Sequence, residues 1–420
     1  MTVEQLVPVR VSVEIDEVLL TLRAAPRLEA EPFHPARIAF SDAVSRAIFC
    51  DPRSRTFPEM LALAFWLRRA AVLRLAERFH QLELDGAFRA PRGLAFHVPP
   101  ANVDTLFVYS LLASLLVGNL NLVRVSRDRR SDQVALLCDL LREVLAEERF
   151  ACFAAELAVV GYGHEPEPTA AASKAADVRL LWGGDAAIER VRAVTAGPAT
   201  HDLTFGDRFS FAVVRPGAVL EADPAARRAL AEALYNDAYW FDQLGCASPR
   251  LLVWVGDTKE ADAAHEVLFG ALAEVVATKG YRLQPGAAMA KLTFMYAALM
   301  DRPVELVKQI GNELLVLGLR DLNAFDRTHP GAGLFFEAHV DDLAELAGFV
   351  KRKDQTLTAH GFSDDELTAF ARSLHGQGID RIVPFGQALS FGTLWDGYDL
   401  LAELTRTVQV TRQVHKAAAL

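Results

Sequence analysis

The chain has 420 residues, of which 51% are hydrophobic and 23% charged, so a large buried core is available and general disorder is excluded. Its formal net charge of −10 argues against a nucleic-acid binder and against a polybasic membrane surface, because both need clustered Lys and Arg. At about 100–200 residues per domain, the length predicts two or three domains.

The cysteines, histidines and N-terminus exclude further classes of protein. None of the 4 cysteines is spaced CxxC and no histidine pair is spaced HxxxH, so neither a disulfide framework nor a metal site is indicated. The N-terminus lacks a signal-peptide pattern. The longest apolar run, 106–117, is shorter than the roughly 20 residues that span a bilayer. We therefore expect a cytoplasmic protein with no metal and no membrane span.

In the first half of the chain, apolar runs predict alternating helices and strands. Helical periodicity covers 58–87, and further helices are predicted at 105–117 and near 131–147. Strands are predicted at Gly93–Val98, Leu120–Val125, Leu157–Gly161 and Val178–Trp182. This alternation is typical of βαβ units and predicts a mostly parallel sheet.

The second half has the same pattern without repeating the sequence. Strands are predicted at Phe209–Val214 and Arg250–Val255, and helices at Pro224–Tyr239 and Ala261–Lys279. The C-terminal part, Gly378–Thr393, indicates short strands and glycine turns, and Leu400–Leu404 is helical. Pro216-Gly217 is a turn signal where the chain can change domains.

Two glycine turns are candidates for a dinucleotide site. Gly161-Tyr162-Gly163 follows a strand, but a proline at 166 stands where the third glycine of the fingerprint belongs, and a plain turn explains it as well. Gly183 and Gly184 lie between a predicted strand and a predicted helix, where free backbone N–H groups suit a pyrophosphate. A purely structural turn is the alternative reading there too.

Cys246 and Asn102 are candidates for acyl chemistry. Cys246 lies in a loop among Gly, Ser and Pro, where a thiol is accessible, whereas the other three cysteines are expected in the core. The alternative is a small buried loop residue. The Asn102 amide, after two prolines, can donate to an oxyanion or serve as the N-cap of the next helix.

Three arginines follow the predicted strand that ends near Val125. Arg127, Arg129 and Arg130 either form a solvated face or contact a phosphate. The sequence pattern alone leaves both readings open.

Five blocks in order along the chain resemble the acyl-CoA reductase (LuxC-type fatty-acyl reductase) family of the aldehyde dehydrogenase superfamily. They are HVPPANVDTLFVYSLLASLLVGNLNLVRVS (97–126), DVRLLWGGDAAIERVRA (177–193), FGDRFSFAVV (205–214), FDQLGCASPRLLVWVG (241–256) and GIDRIVPFGQALSFGTLWDGYDL (378–400). The resemblance covers the chain from about residue 90 onward, and it is the order of the blocks that makes it specific.

The resemblance implies roles for particular residues. Cys246 matches the catalytic thiol, and Asn102 matches the asparagine whose amide joins the Cys246 backbone N–H in the oxyanion hole. Gly183 and Gly184 fall at the turn that faces the cofactor pyrophosphate. The strand end with Arg124 and Ser126 falls where the superfamily has Lys-Pro-Ser against the adenosine ribose, and arginine keeps the charge of that lysine but not its geometry.

One departure from the superfamily pattern bears on the reaction. Thr204 stands where hydrolytic aldehyde dehydrogenases have the Glu that activates water, and a threonine hydroxyl is no base near neutral pH. An acyl-Cys thioester should then survive long enough to be reduced. Glu313 and Glu337 align poorly with the superfamily's nicotinamide-ribose glutamate, so neither is assigned.

We therefore expect an α/β protein with an aldehyde-dehydrogenase-like fold: a Rossmann-like cofactor domain, an α/β catalytic domain and a small oligomerisation element. The expected boundaries are 1–85 for an N-terminal helical or oligomerisation region and 86–215 for the cofactor domain. The catalytic domain is expected at 216–375, and 376–420 as a segment returning to the cofactor or oligomerisation region.

The implied function is NAD(P)H-dependent reduction of an acyl thioester to an aldehyde through a Cys246 acyl-enzyme. The family favours NADPH, with NADH as the alternative, and Arg127, Arg129 or Arg130 could pair with a 2′-phosphate. The expected partners are an acyl-CoA or acyl-protein donor, with an acyl-protein ligase subunit as one candidate, and further copies of the chain.

Two alternatives remain open at this point. The enzyme could work in the oxidative direction as a CoA-acylating aldehyde dehydrogenase, which Thr204 permits because CoA would resolve the thioester. It could also be a non-redox subunit that accepts an acyl group on Cys246 within a larger complex. Retention of the glycine turn at 183–184 argues against loss of the cofactor.

Overall fold

The computed structural model describes residues 1–26, 31–81, 86–100, 102–128 and 130–411. They form two compact units. Met1–Gly206 and the segment from Tyr398 make up the first unit, and Asp207–Gly397 makes up the second.

The first unit is a seven-stranded sheet with helices. Its strands are β1 (Thr2–Val7), β2 (Val11–Glu14), β3 (Ala87–Pro91), β4 (Leu94–Val98), β5 (Leu120–Ser126), β6 (Leu157–Tyr162), β7 (Val178–Trp182) and β8 (His201–Phe205), and all of these but β3 belong to the seven-stranded sheet. Its helices are α1 (Ile15–Ala24), α2 (Pro35–Cys50), α3 (Pro58–Leu67), α4 (Arg69–His80), α5 (Leu106–Leu116), α6 (Asp132–Leu145), α7 (Pro166–Ala175) and α8 (Asp185–Arg192). The helical stretch predicted from residue 58 is thus two helices, interrupted at Arg68, whose backbone is not helical (φ −59°, ψ 144°).

The strand order of this sheet is β2-β1-β6-β5-β4-β7-β8. Strands β6, β5, β4, β7 and β8 are parallel, and β1 joins β6 in the antiparallel sense. The chain therefore winds outward from β4 in both directions, as in a Rossmann-like fold. The crevice outside the carboxyl ends of β4 and β7, where the order reverses, is the place where such sheets bind ligands.

Burial on both faces explains the continuous apolar runs of the parallel strands. Every residue of helix α5 is buried, so this apolar run is core and not a membrane segment. No helix among the described residues is long and apolar enough to cross a membrane.

The second unit has another seven-stranded sheet. Its strands are β9 (Phe209–Val214), β10 (Pro249–Val255), β11 (Val304–Ile310), β12 (Leu314–Leu319), β13 (Leu334–Val340), β14 (Asp354–His360), β15 (Arg381–Pro384) and the short β16 (Leu394–Trp395), and all of these but β16 belong to the seven-stranded sheet. Its helices are α9 (Pro216–Leu220), α10 (Pro224–Ala238), α11 (Thr258–Lys279), α12 (Pro285–Asp301), α13 (Leu343–Phe349) and α14 (Asp364–Ser373).

The order of the second sheet is β11-β12-β13-β10-β9-β14-β15. All neighbouring pairs are parallel except β11 and β12, so the class is α/β, as predicted. Apolar side chains pack on both faces of this sheet. The amino ends of β9, β10 and β14 lie side by side at the centre, and the loop that holds Cys246 leads directly into β10.

The chain changes units between Gly206 and Asp207, whereas the sequence analysis placed the change of domain at 215/216. Strand β9 accounts for the earlier position, since it pairs with both β10 and β14 inside the second sheet. After Gly397 the chain returns to the first unit as β17 (Tyr398–Asp399), α15 (Leu400–Glu403) and β18 (Thr405–Gln409). Strand β18 pairs with β3 in the antiparallel sense.

A buried ion pair lies within the core of the first unit. Arg37 Nη1 is 2.8 Å from Glu156 Oε2, and each side chain is 1% exposed. The same guanidinium nitrogen donates a hydrogen bond of 3.0 Å to the carbonyl oxygen of Leu115.

We expect Arg37→Ala to lower the free energy of unfolding by about 3–5 kcal/mol, because it leaves the Glu156 carboxylate buried without its partner. The double variant Arg37→Met/Glu156→Leu should lose much less, since it removes both charges and keeps apolar volume. Urea unfolding followed by circular dichroism measures both. Equal losses in the single and double variants would contradict this explanation.

Candidate active site

A cleft of about 630 Å³ opens in the first unit at the carboxyl ends of β4, β5 and β7. All five residues assigned to this unit from the sequence line it: Asn102, Arg124, Ser126, Gly183 and Gly184. The topology explains their convergence, because parallel strands end at the same edge of the sheet.

Gly183 and Gly184 form the turn between β7 and α8. Gly183 has φ +143°, a backbone conformation that side chains rarely adopt. Gly184 is the N-cap of α8, no side chain caps this helix end, and no atom lies within 4 Å of where a Cβ on Gly184 would point. The turn is therefore an open cradle at the positive end of a helix, which fits a pyrophosphate. The acidic Asp185 lies beside Gly206, 2.8 Å from the position of a Cβ there.

Arg124 is anchored to backbone on the neighbouring strand. Its Nη2 donates to the carbonyl oxygens of Gly163 at 2.6 Å and Tyr162 at 3.3 Å, and its guanidinium lies 5.2 Å from the centre of the Tyr162 ring. The side chain still lines the cleft, next to Ser126. A rigid cation beside a hydroxyl at a strand end is suited to a ribose.

A second cleft of about 290 Å³ shares Arg124, Trp182 and Arg190 with the first. The segment Gly163–Pro166 lines it, between α7 and α8. The glycine motif at 161–163 thus borders the same region as the 183–184 turn, although helix α7 begins only at Pro166.

Two of the arginines after β5, Arg127 and Arg130, pair with carboxylates. Arg127 lies 2.7 Å from Glu165, and Arg130 lies 2.7 Å from Glu4. Arg129 lies outside the described residues. Arg190, which the sequence analysis did not single out, lines both clefts from α8.

Asn102 is exposed at the rim of the cleft, in the turn before α5. The N-cap position of α5 is taken by Thr105, so the alternative reading of Asn102 as the helix cap is wrong. Its neighbour Asp104 also lines the cleft and accepts a 2.5 Å hydrogen bond from Ser131. Burial raises the pKa of Asp104, and the Ser131 hydroxyl opposes that shift.

Cys246 belongs to the second unit and is partly exposed. Its carbonyl oxygen accepts a 2.7 Å hydrogen bond from the hydroxyl of Ser210 at the start of β9. The Ser210 oxygen in turn accepts from the backbone N–H of Thr356 on β14 at 3.2 Å. The loop is thereby tied to the amino ends of two central strands.

The turn before Cys246 has a left-handed backbone. Phe241, Asp242 and Gln243 have φ of 57°, 51° and 61°, and none of them is glycine. Such a conformation costs about 1–2 kcal/mol per residue, so the surroundings must hold it.

Three contacts hold this turn. The carbonyl oxygen of Asp242 accepts from the N–H of Ala332 at 2.8 Å, and its carboxylate accepts from the Tyr281 hydroxyl at 2.6 Å. Lys291 in turn holds Ala332, because its ammonium group donates to the carbonyl oxygen of that residue at 2.8 Å. Burial lowers the pKa of Lys291 to about 8, and Glu313 opposes that shift.

Arg250 holds the backbone of the loop that leads to Cys246. Its guanidinium donates to the carbonyl oxygens of Gln243 (3.2 Å), Leu244 (3.3 Å) and Gly245 (3.2 Å). One side chain thus fixes three successive peptide groups next to the thiol.

Polar groups around the thiol have opposing effects. Burial raises the pKa of Cys246 to about 11, and the nearby Asp396 raises it as well. The side-chain amide of Gln355, the charge of Arg250 and the backbone N–H of Ala247 lower it. The Gln355 amide nitrogen lies 3.6 Å from Sγ. Neither Gln355 nor Asp396 was predicted from the sequence.

The other thiols differ from expectation in their exposure. Cys138 is buried, as predicted, and burial raises its pKa to about 12. Cys50 and Cys152 are exposed, so the expectation that they lie in the core is wrong. Cys50 is the last residue of α2, where apolar periodicity no longer determines which way a side chain faces, and Cys152 lies within a 3-10 helix (Glu148–Ala155), which has three residues per turn and not 3.6.

Three further residues considered from the sequence line neither of the two clefts. Glu337 is buried and accepts hydrogen bonds from Trp254 (3.1 Å) and pairs with His265 (2.8 Å). The Glu313 carboxylate accepts from the N–H of Asn312 at 3.0 Å. Thr204 is partly buried on β8. Among the residues that the structure describes, no cluster of three or more His, Cys, Asp or Glu could hold a metal.

Gly331→Ala should reduce the reactivity of Cys246. The added Cβ would lie 2.5 Å from the carbonyl oxygen of Asp242, and 2.8 Å from Leu244, so the left-handed turn must shift. We expect alkylation of Cys246 by iodoacetamide at pH 8 to slow by about tenfold, since small displacements at reactive groups have effects of that order. Peptide mass spectrometry measures the rate.

Gly376→Ala is the matched control. Gly376 also has a positive φ, of +81°, but a Cβ there meets no atom within 4 Å. Both variants carry the backbone cost of alanine at a positive φ, about 1–2 kcal/mol, and only Gly331→Ala disturbs the loop. Equal rates in the two variants would show that the turn does not position Cys246.

Solved structures match this chain over nearly its full length. The 1-pyrroline-5-carboxylate dehydrogenase of Thermus thermophilus, as a mutant, is 14% identical with a TM-score of 0.64, covering 94% of this chain and 83% of its own. The same enzyme from Thermus with bound NAD is 13% identical, with a TM-score of 0.64 and the same coverage. At this level of sequence identity, the structural likeness shows the fold alone.

Proline utilization A proteins match as well. A mutant of the Bradyrhizobium japonicum protein is 16% identical with a TM-score of 0.65, covering 95% of this chain and 45% of its own, so this chain spans about half of that protein. These neighbours confirm the predicted aldehyde-dehydrogenase-like α/β fold. Among curated proteins, no sequence matches.

The family profile described as acyl-CoA reductase (LuxC) matches residues 74–407, which is most of the chain. The match includes the glycine turn of the first unit and the cysteine loop of the second. An oxidoreductase acting on acyl or aldehyde groups is the enzyme class that this family and fold define. The chain belongs to the acyl-CoA reductase (LuxC) family.

Proposed function

We propose that this chain reduces an acyl thioester to an aldehyde with NADPH, by way of an acyl-enzyme on Cys246. The observation that carries the proposal is the cysteine loop itself. The partly exposed Cys246 follows a strained turn. Arg250 holds the loop by donating hydrogen bonds to its carbonyl oxygens, and the side-chain amide of Gln355 lies beside the sulfur. Strained, over-determined backbone of this kind is typical of functional sites.

In the first step, the Cys246 thiolate attacks the carbonyl carbon of the donor thioester. A carbon–sulfur bond to Cys246 forms, and the bond to the donor sulfur breaks when the tetrahedral intermediate collapses. The proton lost from the Cys246 thiol is the one that the departing donor thiol requires. The acyl group then remains on the enzyme.

A reduced nicotinamide, when bound, supplies the hydride for the acyl carbon. The resulting thiohemiacetal on Cys246 collapses, its oxyanion becomes the aldehyde oxygen, and the Cys246 thiolate leaves. The sulfur therefore carries negative charge both when it attacks and when it departs. Groups that stabilise a thiolate at this position assist both steps.

Asn102 is proposed to donate its side-chain amide to the oxyanion, together with the backbone N–H of Cys246. Such donors act where charge develops in the transition state, and losing one typically costs about 10²–10³ in kcat. Asn102 is exposed, and its side chain does not cap α5. Its amide is therefore not needed to stabilise the fold, which supports a role in the reaction.

The cleft of the first unit is proposed as the NADPH site. Gly183 and Gly184 would face the pyrophosphate, and Arg124 with Ser126 would hold the adenosine ribose. The NAD-bound Thermus neighbour supports a nicotinamide cofactor, and the family resemblance favours NADPH. Arg190 is a better placed partner for a 2′-phosphate than Arg127 or Arg130, which already have carboxylate partners.

The donor is proposed to be acyl-CoA or an acyl-protein, the latter supplied by an acyl-protein ligase partner. The chain is proposed to act as a homo-oligomer in the cytoplasm. The donor and the oligomer come from the family resemblance, and the cytoplasm comes from the absence of a disulfide framework among the cysteines.

The reaction is tested by NADPH oxidation at 340 nm with acyl-CoAs from two to sixteen carbons, with the aldehyde trapped and identified. We expect turnover with one length class and aldehyde in equal amount. Acylation of Cys246 without NADPH oxidation would favour the non-redox acyl-accepting role. Absence of both turnover and acylation, with CoA and protein donors alike, would refute the proposal.

Thr204→Glu should convert part of the flux into hydrolysis. A carboxylate at this position restores the base that hydrolytic relatives use to activate water, so the acyl-enzyme would release a fatty acid. We expect the ratio of acid to aldehyde to rise at least about tenfold, in line with general-base effects. Thr204→Gln, of equal size but without a base, is the control. No acid from either variant would contradict the role assigned to Thr204.

Gly184→Val should weaken NADPH binding without destabilising the fold. The Gly184 backbone (φ −65°, ψ 151°) suits any residue, and the new side chain would point into open space in the cleft. We expect the Kd for NADPH to rise at least about tenfold, which corresponds to roughly 1.4 kcal/mol. Gly286→Val, also with open space around its Cβ, is the control. Unchanged NADPH affinity would place the cofactor elsewhere.

A further inference from the structure

The side chain of Gln355 is the only amide hydrogen-bonded to the Cys246 sulfur among the described residues. Its Nε2 lies 3.6 Å from Sγ, within the longer range of hydrogen bonds to sulfur. Gln355 is 1% exposed and lies near the start of β14. The pairing of β14 with β9 shifts register between Asp354 and Leu357, which places Gln355 at an irregular point of the strand.

We propose that Gln355 is a catalytic residue, which donates an amide hydrogen bond to the Cys246 thiolate, and that Asp396 is the positioning residue that keeps the amide in that orientation. The proposal rests on the proposed role of Cys246 as nucleophile. It adds a residue to that mechanism which the resemblance did not assign.

The orientation follows from the partners at the two ends of the amide. A carboxamide has an NH₂ end that only donates and an oxygen that only accepts. Asp396 Oδ1 accepts from the same Nε2 that faces the sulfur, and the Thr356 hydroxyl donates to Oε1 at 3.2 Å. The flipped amide would turn its oxygen toward both a carboxylate and a thiolate. The hydrogen-bond network therefore specifies the donor end for Cys246.

Asp396 is itself held in place. It is 7% exposed and lies in an Asp-Gly turn with φ of 50° at Asp396 and 80° at Gly397, the conformation that such a turn favours. Arg208 Nε lies 3.6 Å from its carboxylate and pairs with Asp380 as well. Burial raises the pKa of Asp396, while Gln355 and Arg208 oppose the shift.

The Gln355 amide opposes the effect that burial has on the pKa of the Cys246 thiol. A hydrogen bond to the charged form favours that form, so the amide makes the thiolate easier to form and a better leaving group. The charge of Asp396 has the opposite effect on the thiol, which allows the two contributions to be separated by mutation.

The charged and titratable groups around this cluster come from several elements. Asp396 and Arg250 act on Cys246 directly, and the groups behind them are Asp207, Arg208, His329, Arg352 and Asp380. None of these is changed by a substitution at Gln355 or Thr356.

The test is the pH dependence of Cys246 alkylation by iodoacetamide, read by peptide mass spectrometry, with the exposed Cys50 and Cys152 as internal references. Gln355→Met keeps the length and removes the donor. We expect its profile to move up by about one pH unit, a tenfold slower reaction at any pH below the thiol pKa. Gln377→Met, at an exposed glutamine in the same unit, should leave the profile unchanged.

Asp396→Asn separates charge from hydrogen bonding, because the new amide oxygen still accepts from Gln355. We expect its profile to move down, since the charge that opposes the thiolate is gone. Thr356→Val keeps the side-chain volume and removes the hydroxyl that donates to Gln355 Oε1. It should move the profile up by less than Gln355→Met, and it tests the proposal if Gln355→Met does not fold.

A wild-type profile in Gln355→Met and in Thr356→Val would overturn the proposal, as would an upward shift in Asp396→Asn. The assay needs no acyl donor and no NADPH. Failure of Cys246 to accept an acyl group would therefore refute the proposed function, and these alkylation profiles would still test the hydrogen bond.

Discussion

Phe241, Asp242 and Gln243 adopt a left-handed backbone one after another, and the position of Cys246 depends on this turn. The conformation is unfavourable in isolation. It persists because the Ala332 N–H and the Tyr281 hydroxyl bind Asp242 from one side and Arg250 binds the following carbonyl groups from the other. The result is a partly exposed cysteine whose backbone is held in place next to the amino ends of the central strands.

Each of the two units carries features that the proposed reduction requires. The first offers a cleft at the point where its strand order reverses, with an uncapped helix end and two glycines that leave open space. The second holds Cys246, the proposed nucleophile, and the hydrogen bonds that lower the pKa of its thiol. Each of these arrangements follows from parallel strands, because such strands bring together, at one edge, residues that are far apart in sequence.

Much of the fold was predictable from apolar runs, because buried parallel strands have few polar interruptions. The strand Phe209–Val214 was predicted with its observed ends, and Cys246, Asn102 and the glycine turn were selected from local sequence and resemblance. Gln355 and Asp396 were not predictable. Nothing in the sequence around a glutamine reveals that a register shift in β14 brings it to a sulfur 109 positions away. The exposure of Cys50 and Cys152 was missed because α-helical periodicity ends at Cys50 and does not apply to the 3-10 helix that holds Cys152.

The central claim is that Cys246 carries the acyl group, and intact-mass measurement after mixing with acyl-CoA in the absence of NADPH tests it most directly. The wild-type protein should gain the mass of one acyl group, which disappears when NADPH is added, and Cys246→Ala should gain none. Acylation of the Cys246→Ala protein, or steady NADPH-dependent turnover by it, would contradict the account.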